Sequence, residues 1–400
     1  MLALDPMLFG LDLTVVIIML VKVLVAFVLV LLSAMAMVWF ERKIVSDMQN
    51  RIGPNIAGPF GVLQALADGI KLFFKEGLMP EKADPLVYRL APFLSLVPAF
   101  VSFTVIPLAG DFSQRGSDGR VTIAGKETLV QVADPHVGIL LVLAMSSIAV
   151  YGVMLAGWSS GSKYPLLGSV RATAQMVSYE AALGLSVLAV LLRSGSLSTN
   201  AIVTGQTGYQ WNLWMTGLVP FVIFMIAVTA ELNRPPFDLV EAEQELVGGF
   251  HTEYSSIGFA LFFLAEFFNV VTMSAVMVTL FFGGPSGPSF GITGWIADYI
   301  LPVVWFMAKL LVFLFVFVWF RASLPRFRYD TLMDLGWKLL IPLALAWFMI
   351  LAVIEVTNDQ GWSYAWVAPI TLGVLGLVAG LLVKSIRTAA ARRDAEEVSV

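Results

Sequence analysis

No cysteine occurs among the 400 residues, and histidine appears only twice, as His136 and His251. The first absence excludes disulfides, thiolate-held iron–sulfur clusters and cysteine metal sites in this chain. The second leaves too few imidazoles for a haem pair or a zinc site, so no metal site is expected. Charge is also scarce: 13% of residues are charged and 58% are hydrophobic, with a mean hydropathy of +0.86. That balance excludes a soluble globule and points to an all-α polytopic membrane protein. The first thirteen residues hold Asp5 and Asp12 but no Lys or Arg, so they lack the basic region of a signal peptide. The net charge of −4 says little, because in a membrane chain the position of charge matters more than its sum.

What the chain does have is a series of apolar runs of membrane-crossing length. They predict about nine spans, at roughly 13–40, 86–109, 137–157, 174–192, 214–231, 254–282, 299–320, 337–356 and 364–384. The connecting segments alternate sharply in basic content. One side carries Arg42, Lys43, Arg51, Lys71, Lys75, Lys82, Arg89, Lys163, Arg171, Arg234, Arg321, Arg326, Arg328, Lys384, Arg387, Arg392 and Arg393. The other has only Arg115, Arg120, Lys126 and Arg193. Basic loops stay inside, so the N-terminus is expected outside and the C-terminus in the cytoplasm. The outer segment 110–136, rich in Gly, Asp and Arg, reads as uninformative.

On the inner side, residues 60–77 show helical periodicity, with Val62, Leu63, Leu66, Ile70, Phe73, Phe74 and Gly77 on one face and Gln64, Asp68, Lys71 and Lys75 on the other. This is too polar to cross the bilayer and predicts an amphipathic helix lying in the interface. Its mixed-sign polar stripe is more than a simple lipid anchor needs. Pro92 and Pro98 inside the second span leave backbone groups that neighbours must satisfy. Arg171, Gln175 and Tyr179 step by four along the start of span four, with Glu180 beside them, so that face is expected to point into protein.

The densest chemistry lies at 231–254, where Glu231, Asp238, Glu241, Glu243, Glu245 and Glu253 crowd together with Arg234 and His251. Pro235 and Pro236 are suited to open a short helix that Gly248-Gly249 would end. Asp238, Glu241 and Glu245 would then share one face. Carboxylates that close near apolar surroundings cannot all remain ionised, which suits them to taking up and releasing protons. The plainer reading is a solvated acidic loop. Charges inside spans (Glu180, Glu231, Glu266, Lys309) each cost a few kcal/mol near the bilayer centre and require a partner or water. A buried ion pair is the structural alternative for Glu266 and Lys309, and Lys22 is expected to snorkel outward.

Several of these stretches together resemble one family: the membrane subunit at the junction of proton-pumping NADH:quinone oxidoreductase, respiratory complex I. The matching runs are Glu41-Arg-Lys43; Arg51-x-Gly-Pro-Asn55; Gln64 through Glu76; Lys163-Tyr164; Arg171 through Glu180; Glu231 through Phe250; Glu253-Tyr254; and Arg321 with Pro325 through Asp330. They occur in order across roughly residues 13–356, an eight-span core. Residues 357–400, holding a ninth span and the charged tail Arg387–Val400, depart from the family pattern, and Gly161 stands where asparagine is common.

The resemblance implies a function. The interfacial helix and inner loops would form much of a quinone-binding chamber, with Arg51, Gln64, Asp68, Lys71 and Phe237 at its wall and entrance. Glu180, Glu231, Asp238, Glu241, Glu243, Glu245 and Glu253 would couple quinone reduction to proton translocation. Glu41, Arg42, Arg171, Arg234, Glu266 and Lys309 would be structural charges. No redox cofactor is expected in this chain. Quinone is the substrate, and FMN and iron–sulfur clusters belong on partner subunits. Expected partners are the other membrane subunits, soluble iron–sulfur and quinone-site subunits on the cytoplasmic side, and lipids, with no nucleic acid, in a bacterial cell membrane. The competing readings are an anchor subunit of a membrane-bound hydrogenase, a secondary ion transporter, for which no internal repeat is found, and a purely structural anchor.

Overall fold

A computed structural model describes residues 12–112, 118–208, 210–238, 247–288 and 294–361, with isolated positions outside these stretches. Seven described helices have the length and hydropathy to cross a membrane: α1 (Leu13–Met48), α3 (Pro85–Phe103), α4 (Gly138–Ser159), α5 (Lys163–Ser194), α9 (Ser256–Phe281), α10 (Ile296–Ser323) and α11 (Tyr329–Gln360). An eighth apolar helix, α8 (Leu218–Glu231), is shorter. Its fourteen residues extend only about 21 Å at 1.5 Å each, less than the roughly 30 Å hydrocarbon thickness. Short helices α6 (Thr199–Thr204) and α7 (Asn212–Met215) link α5 to α8. Eight of the expected spans are therefore helices where the hydropathy puts them; the ninth, with the tail, lies outside the described residues.

α9 is the central helix: 72% of its most apolar stretch is buried inside the chain, against 22% for α1 and 11% for α11. In lipid no hydrophobic force drives helices together, so close approach depends on small residues and internal hydrogen bonds. α3 and α4 meet at Gly152, where an added Cβ would stand 2.3 Å from Ser95 Oγ and 2.7 Å from Ser95 N. Pro92 has no N–H to offer the Tyr88 carbonyl one turn earlier; the Tyr254 hydroxyl donates to that carbonyl instead, at 3.0 Å. At the far end of α9, Lys309 of α10 donates to the carbonyls of Phe282, Gly284 and Ser286 (2.7, 2.9 and 2.6 Å). A cation there satisfies orphan carbonyls and complements the helix dipole.

The interfacial helix, α2, runs from Gln64 to Phe74, shorter at both ends than the 60–77 periodicity predicts. The chain before it doubles back: Phe60 and Gly61 adopt φ of 55° and 77°, and a Cβ on Gly61 would meet the Pro54 carbonyl at 2.4 Å. The Gly-Pro-Asn turn thus occupies the space that an extra helical turn would need. At the other end Ser256 donates to the carbonyls of Leu72 (3.1 Å) and Lys75 (2.7 Å), closing the helix.

The described part of the segment 110–136 contains regular structure. β1 (Arg120–Ile123) and β2 (Lys126–Leu129) form an antiparallel hairpin with Arg120 opposite Leu129 and Ile123 opposite Lys126. Lys22 does not simply reach for solvent. Its ammonium sits 2.9 Å from Asp5 and donates to Thr128 of β2, so the hairpin pins the chain start to α1.

Candidate proton-coupling site

The site grows from the end of α8. Asn233 takes the left-handed region at φ 51°, which asparagine tolerates. Arg234 N–H donates to the Thr229 carbonyl (3.2 Å) and Asn233 N–H to the Ala230 carbonyl (3.3 Å), the paired closure of a Schellman motif. Pro235 and Pro236 follow in a turn closed by Phe237 N–H donating to the Arg234 carbonyl at 2.9 Å. The two prolines therefore sit in the turn that follows α8; the short helix expected after them lies mostly outside the described residues. Asp238 closes the described stretch; Glu241, Glu243 and Glu245, and with them the face expected to join Asp238, Glu241 and Glu245, lie outside the described residues.

Gln175 of α5 holds this turn in place. Its side-chain amide donates to the carbonyls of Ala230 (2.7 Å) and Phe237 (2.9 Å). One turn on, Tyr179 is fully buried and donates to the Leu332 carbonyl at 2.8 Å. The polar face of span four does point into protein.

The Schellman turn puts the Glu231 carboxylate on the wall of a cavity of about 240 Å³. Asn233, Glu266, Asn269 and Ser95 supply the other polar groups, and Phe250, Phe259, Phe262 and Phe263 supply apolar walls. His251, ring against the edges of Phe250 and Phe259, lines it too. Burial holds the His251 imidazole below its usual pKa, against the opposing pull of Glu266. A smaller recess, sharing Glu231 and Asn269, runs on to Ser146 and Thr272. Glu231 is bound on one side only: Ser146 of α4 donates to Oε1, while the buried Oε2 has no hydrogen-bond partner among the described residues, like the buried hydroxyls of Ser95 and Thr272. Buried polar atoms in that state call for ordered water. The next residue of α4, Ser147, donates to Glu180 of α5. Two consecutive serines thus tie two carboxylates together within electrostatic reach of each other.

Beside the cavity lies a buried chain of alternating charge. Arg321 of α10 bonds Glu41 of α1. Arg234 contacts the same carboxylate at 2.9 and 3.2 Å and reaches Glu266 at 2.9 Å. The Arg234 guanidinium lies 4.7 Å from the Phe267 ring centre. Arg42, next to Glu41, pairs with Asp68 of α2 at 2.6 Å. Gln64 donates to the same carboxylate at 3.1 Å, and Lys71 stands 4.0 Å away. Burial works against the charge of Asp68, but the bonds from Arg42 and Gln64 prevail and hold its pKa below the usual range.

The remaining sequence candidates are dispersed. Asp238 is buried and paired with Arg326 at 3.0 Å. Phe237 packs between Tyr179 and Phe327 and does not line the cavity. Arg171 lies over the Tyr329 ring. Arg51 is exposed. Glu253 gives its backbone carbonyl to Tyr88. Reading the sequence by charge missed Ser146, Ser147, Asn269 and Thr272. The spacing of Glu266, Asn269 and Thr272, three residues apart on one face of α9, is the signal that would have found two of them.

Comparison with known proteins identifies the family. The family described as NADH dehydrogenase matches residues 21–352. The H subunit of the NADH-quinone oxidoreductase of Frankia alni is 49% identical over 365 residues, covering 90% of this chain and 78% of the relative. Its counterpart from Frankia casuarinae is 51% identical over 339 residues, covering 84% and 72%.

Proposed function

The chain belongs to the NADH dehydrogenase family, alongside the H subunits of NADH-quinone oxidoreductases, and from that premise we propose that the cavity below α8 is where quinone reduction is coupled to proton movement. It is a membrane component of an oxidoreductase complex, and that complex's other subunits are its partners. Without cysteine it holds no thiolate-bound cluster, so electrons reach quinone from clusters on soluble cytoplasmic subunits. The membrane is that of a bacterial cell, with the N-terminus outside.

Quinone enters beside α2, where Asp68 with Arg42, Gln64 and Lys71 forms a polar stripe against an apolar face left exposed by the chain. Two-electron reduction needs two protons, and the transient negative charge acts strongly on nearby carboxylates in a low-dielectric site. Coupled acids respond as a group. Glu231 is the hub: it lines the cavity, its Oε1 accepts from Ser146, next to the Ser147–Glu180 pair, and its buried Oε2 has no hydrogen-bond partner among the described residues. That placement is the observation that carries the reading. Asp238 and Glu253, with Glu241, Glu243 and Glu245 of the same acidic run in the sequence, supply further groups able to carry protons. Replacing Glu231→Gln in the assembled complex is expected to cut quinone-dependent proton pumping at least ten-fold while NADH still reduces a soluble acceptor. Undiminished pumping by that variant rejects the assignment.

A further inference from the structure

α11 is covered on two faces. One meets α5 and the turn before α8. Leu340 and Ala344 are buried in the same core as Tyr179, and a Cβ on Gly336 would stand 3.4 Å from the Tyr179 ring. Trp347 donates to the Thr216 carbonyl at 2.8 Å, and Glu355 lies 3.6 Å from Arg193 of α5. The second face is turned away from these contacts. Thr357 is 1% exposed, and its hydroxyl donates to the Val353 carbonyl of its own helix. At 3.6 residues per turn it points about 140° away from Ala344. Counting back from Thr357 in steps of four and three reaches Val353, Ile350, Ala346 and Pro342, all partly buried. The flanks stay open: Leu345 and Met349 are 49% and 53% exposed on one side, Leu343 and Ile354 are 42% and 40% exposed on the other. A covered stripe one residue wide between open flanks is the contact line of a single helix.

The geometry points to the chain's own ninth apolar run, residues 364–384, as the occupant of this stripe, folded back antiparallel on α11 as a brace. The connection requires a close neighbour. α11 ends at Gln360, and Gly361 follows in the left-handed region at φ 66°, its N–H donating to the Asn358 carbonyl at 3.3 Å. Only positions 362 and 363 then separate it from the run, and so short a link joins antiparallel helices that touch. As a helix, residues 364–384 extend about 31 Å at 1.5 Å each, the hydrocarbon thickness. A hairpin turning about residue 362 sets Val353 opposite Thr371 and Ala346 opposite Val378. Val367, Thr371, Val374 and Val378 share one helical face. Gly373, Gly376 and Gly380 are described and helical, and a Cβ on any of them would meet nothing within 4 Å. All three fall roughly 100° or more around the helix from that valine face, so the open glycine side and the short link select the same face for α11. Small and β-branched side chains at such a contact permit the close packing that holds helices together in lipid. The family match ends at residue 352, so the brace is an addition to the family core, and it stands independently of the coupling role given to the cavity.

The chain has no cysteine, so paired cysteines can be introduced without removing a native thiol. The test is oxidative cross-linking of the assembled complex in its membrane, read by mass spectrometry of the linked peptides. Val353→Cys is combined in turn with a cysteine at each position from 367 to 380. A disulfide needs Cα atoms within about 7 Å, so the yield is expected to peak near Thr371→Cys and to repeat every three or four positions. Val353→Cys with Gly373→Cys should cross-link at least five-fold less. Ala346→Cys should peak near Val378→Cys, one turn or two further along the run as an antiparallel pair demands. A flat scan, a peak on the glycine side or no cross-link within the chain overturns the brace. So does a cross-link from Val353→Cys to another subunit, which gives the stripe to a partner helix, or full labelling of Val353→Cys by a lipid-soluble maleimide, which gives it to lipid. Should the double variants fail to assemble, ending the chain after Gly361 decides the matter. Amide exchange across residues 350–360 is expected to rise at least ten-fold, and exchange at the rate of the full chain rejects the proposal.

Discussion

Gln175 shows how much one side chain can hold. Its amide reaches from the middle of α5 to both ends of the turn that follows α8, meeting the Ala230 and Phe237 carbonyls. A leucine of similar size leaves those buried acceptors short of a donor, at roughly 1–3 kcal/mol for each group left unsatisfied. Gln175→Leu is therefore expected to lower the thermal midpoint of the detergent-solubilised complex and to speed amide exchange across residues 230–237. Exchange at the wild-type rate would show that the turn holds its shape without this clamp. Tyr179, one turn on, acts on a different element: it ties α5 to the start of α11 through Leu332.

Among elements, the crossing of α5 over the loop that closes the cavity is a tight backbone approach near the site. A Cβ on Gly168 would stand 2.8 Å from Gly249 Cα and 3.1 Å from Phe250 N. Both are main-chain atoms that cannot rotate away. Gly168→Ala is expected to cost about 1–3 kcal/mol by overpacking, pushing Phe250 and His251 off the cavity wall. Gly184→Ala, farther along the same helix, meets nothing within 4 Å and serves as the control. The pair is compared by yield of assembled complex and by its thermal midpoint; equal behaviour would mean that the crossing has slack. α8 carries a second lesson at this scale. Because it stops short of the bilayer thickness, its last turn and Glu231 lie within the protein, where Ser146 and a polar cavity replace solvent.

For the whole molecule, pH is the simplest probe. His251 is held below its usual pKa chiefly by burial, so the folded chain resists protonating it while an unfolded chain takes the proton near pH 6.5. Below that pH the unfolded state binds more protons, and stability falls as pH falls. The stabilising contribution is fully present above about pH 6.5 and is lost through the acid range toward the lowered folded value. Thermal midpoints of the complex between neutral and mildly acid pH should decline, and His251→Gln should flatten that decline. An unchanged slope in the variant would assign the acid sensitivity to other groups.

The sequence by itself determined the class and the layout. Apolar runs of membrane length predict helices because a backbone in lipid must satisfy its own hydrogen bonds, and eight of those runs are helices in the structure. The amphipathic stripe of α2 was legible because spacing three and four residues apart is a local property, readable without neighbours. The ordered motifs from Glu41 to Asp330 were enough to identify the family. Only the tertiary structure decided the partners. Glu41 and Arg234 are 193 residues apart, and no periodicity encodes which of the many arginines a buried glutamate will meet. Pro235 and Pro236 do not by themselves fix where α8 ends; the Schellman closure at Asn233 and the reach of Gln175 do. Lys22 looked like a snorkelling side chain until a hairpin drawn from the outer segment placed Thr128 beside it. In each case the chain's local chemistry left several low-energy partners open, and packing chose among them, because a buried charge or carbonyl must be satisfied by whatever the fold brings within reach.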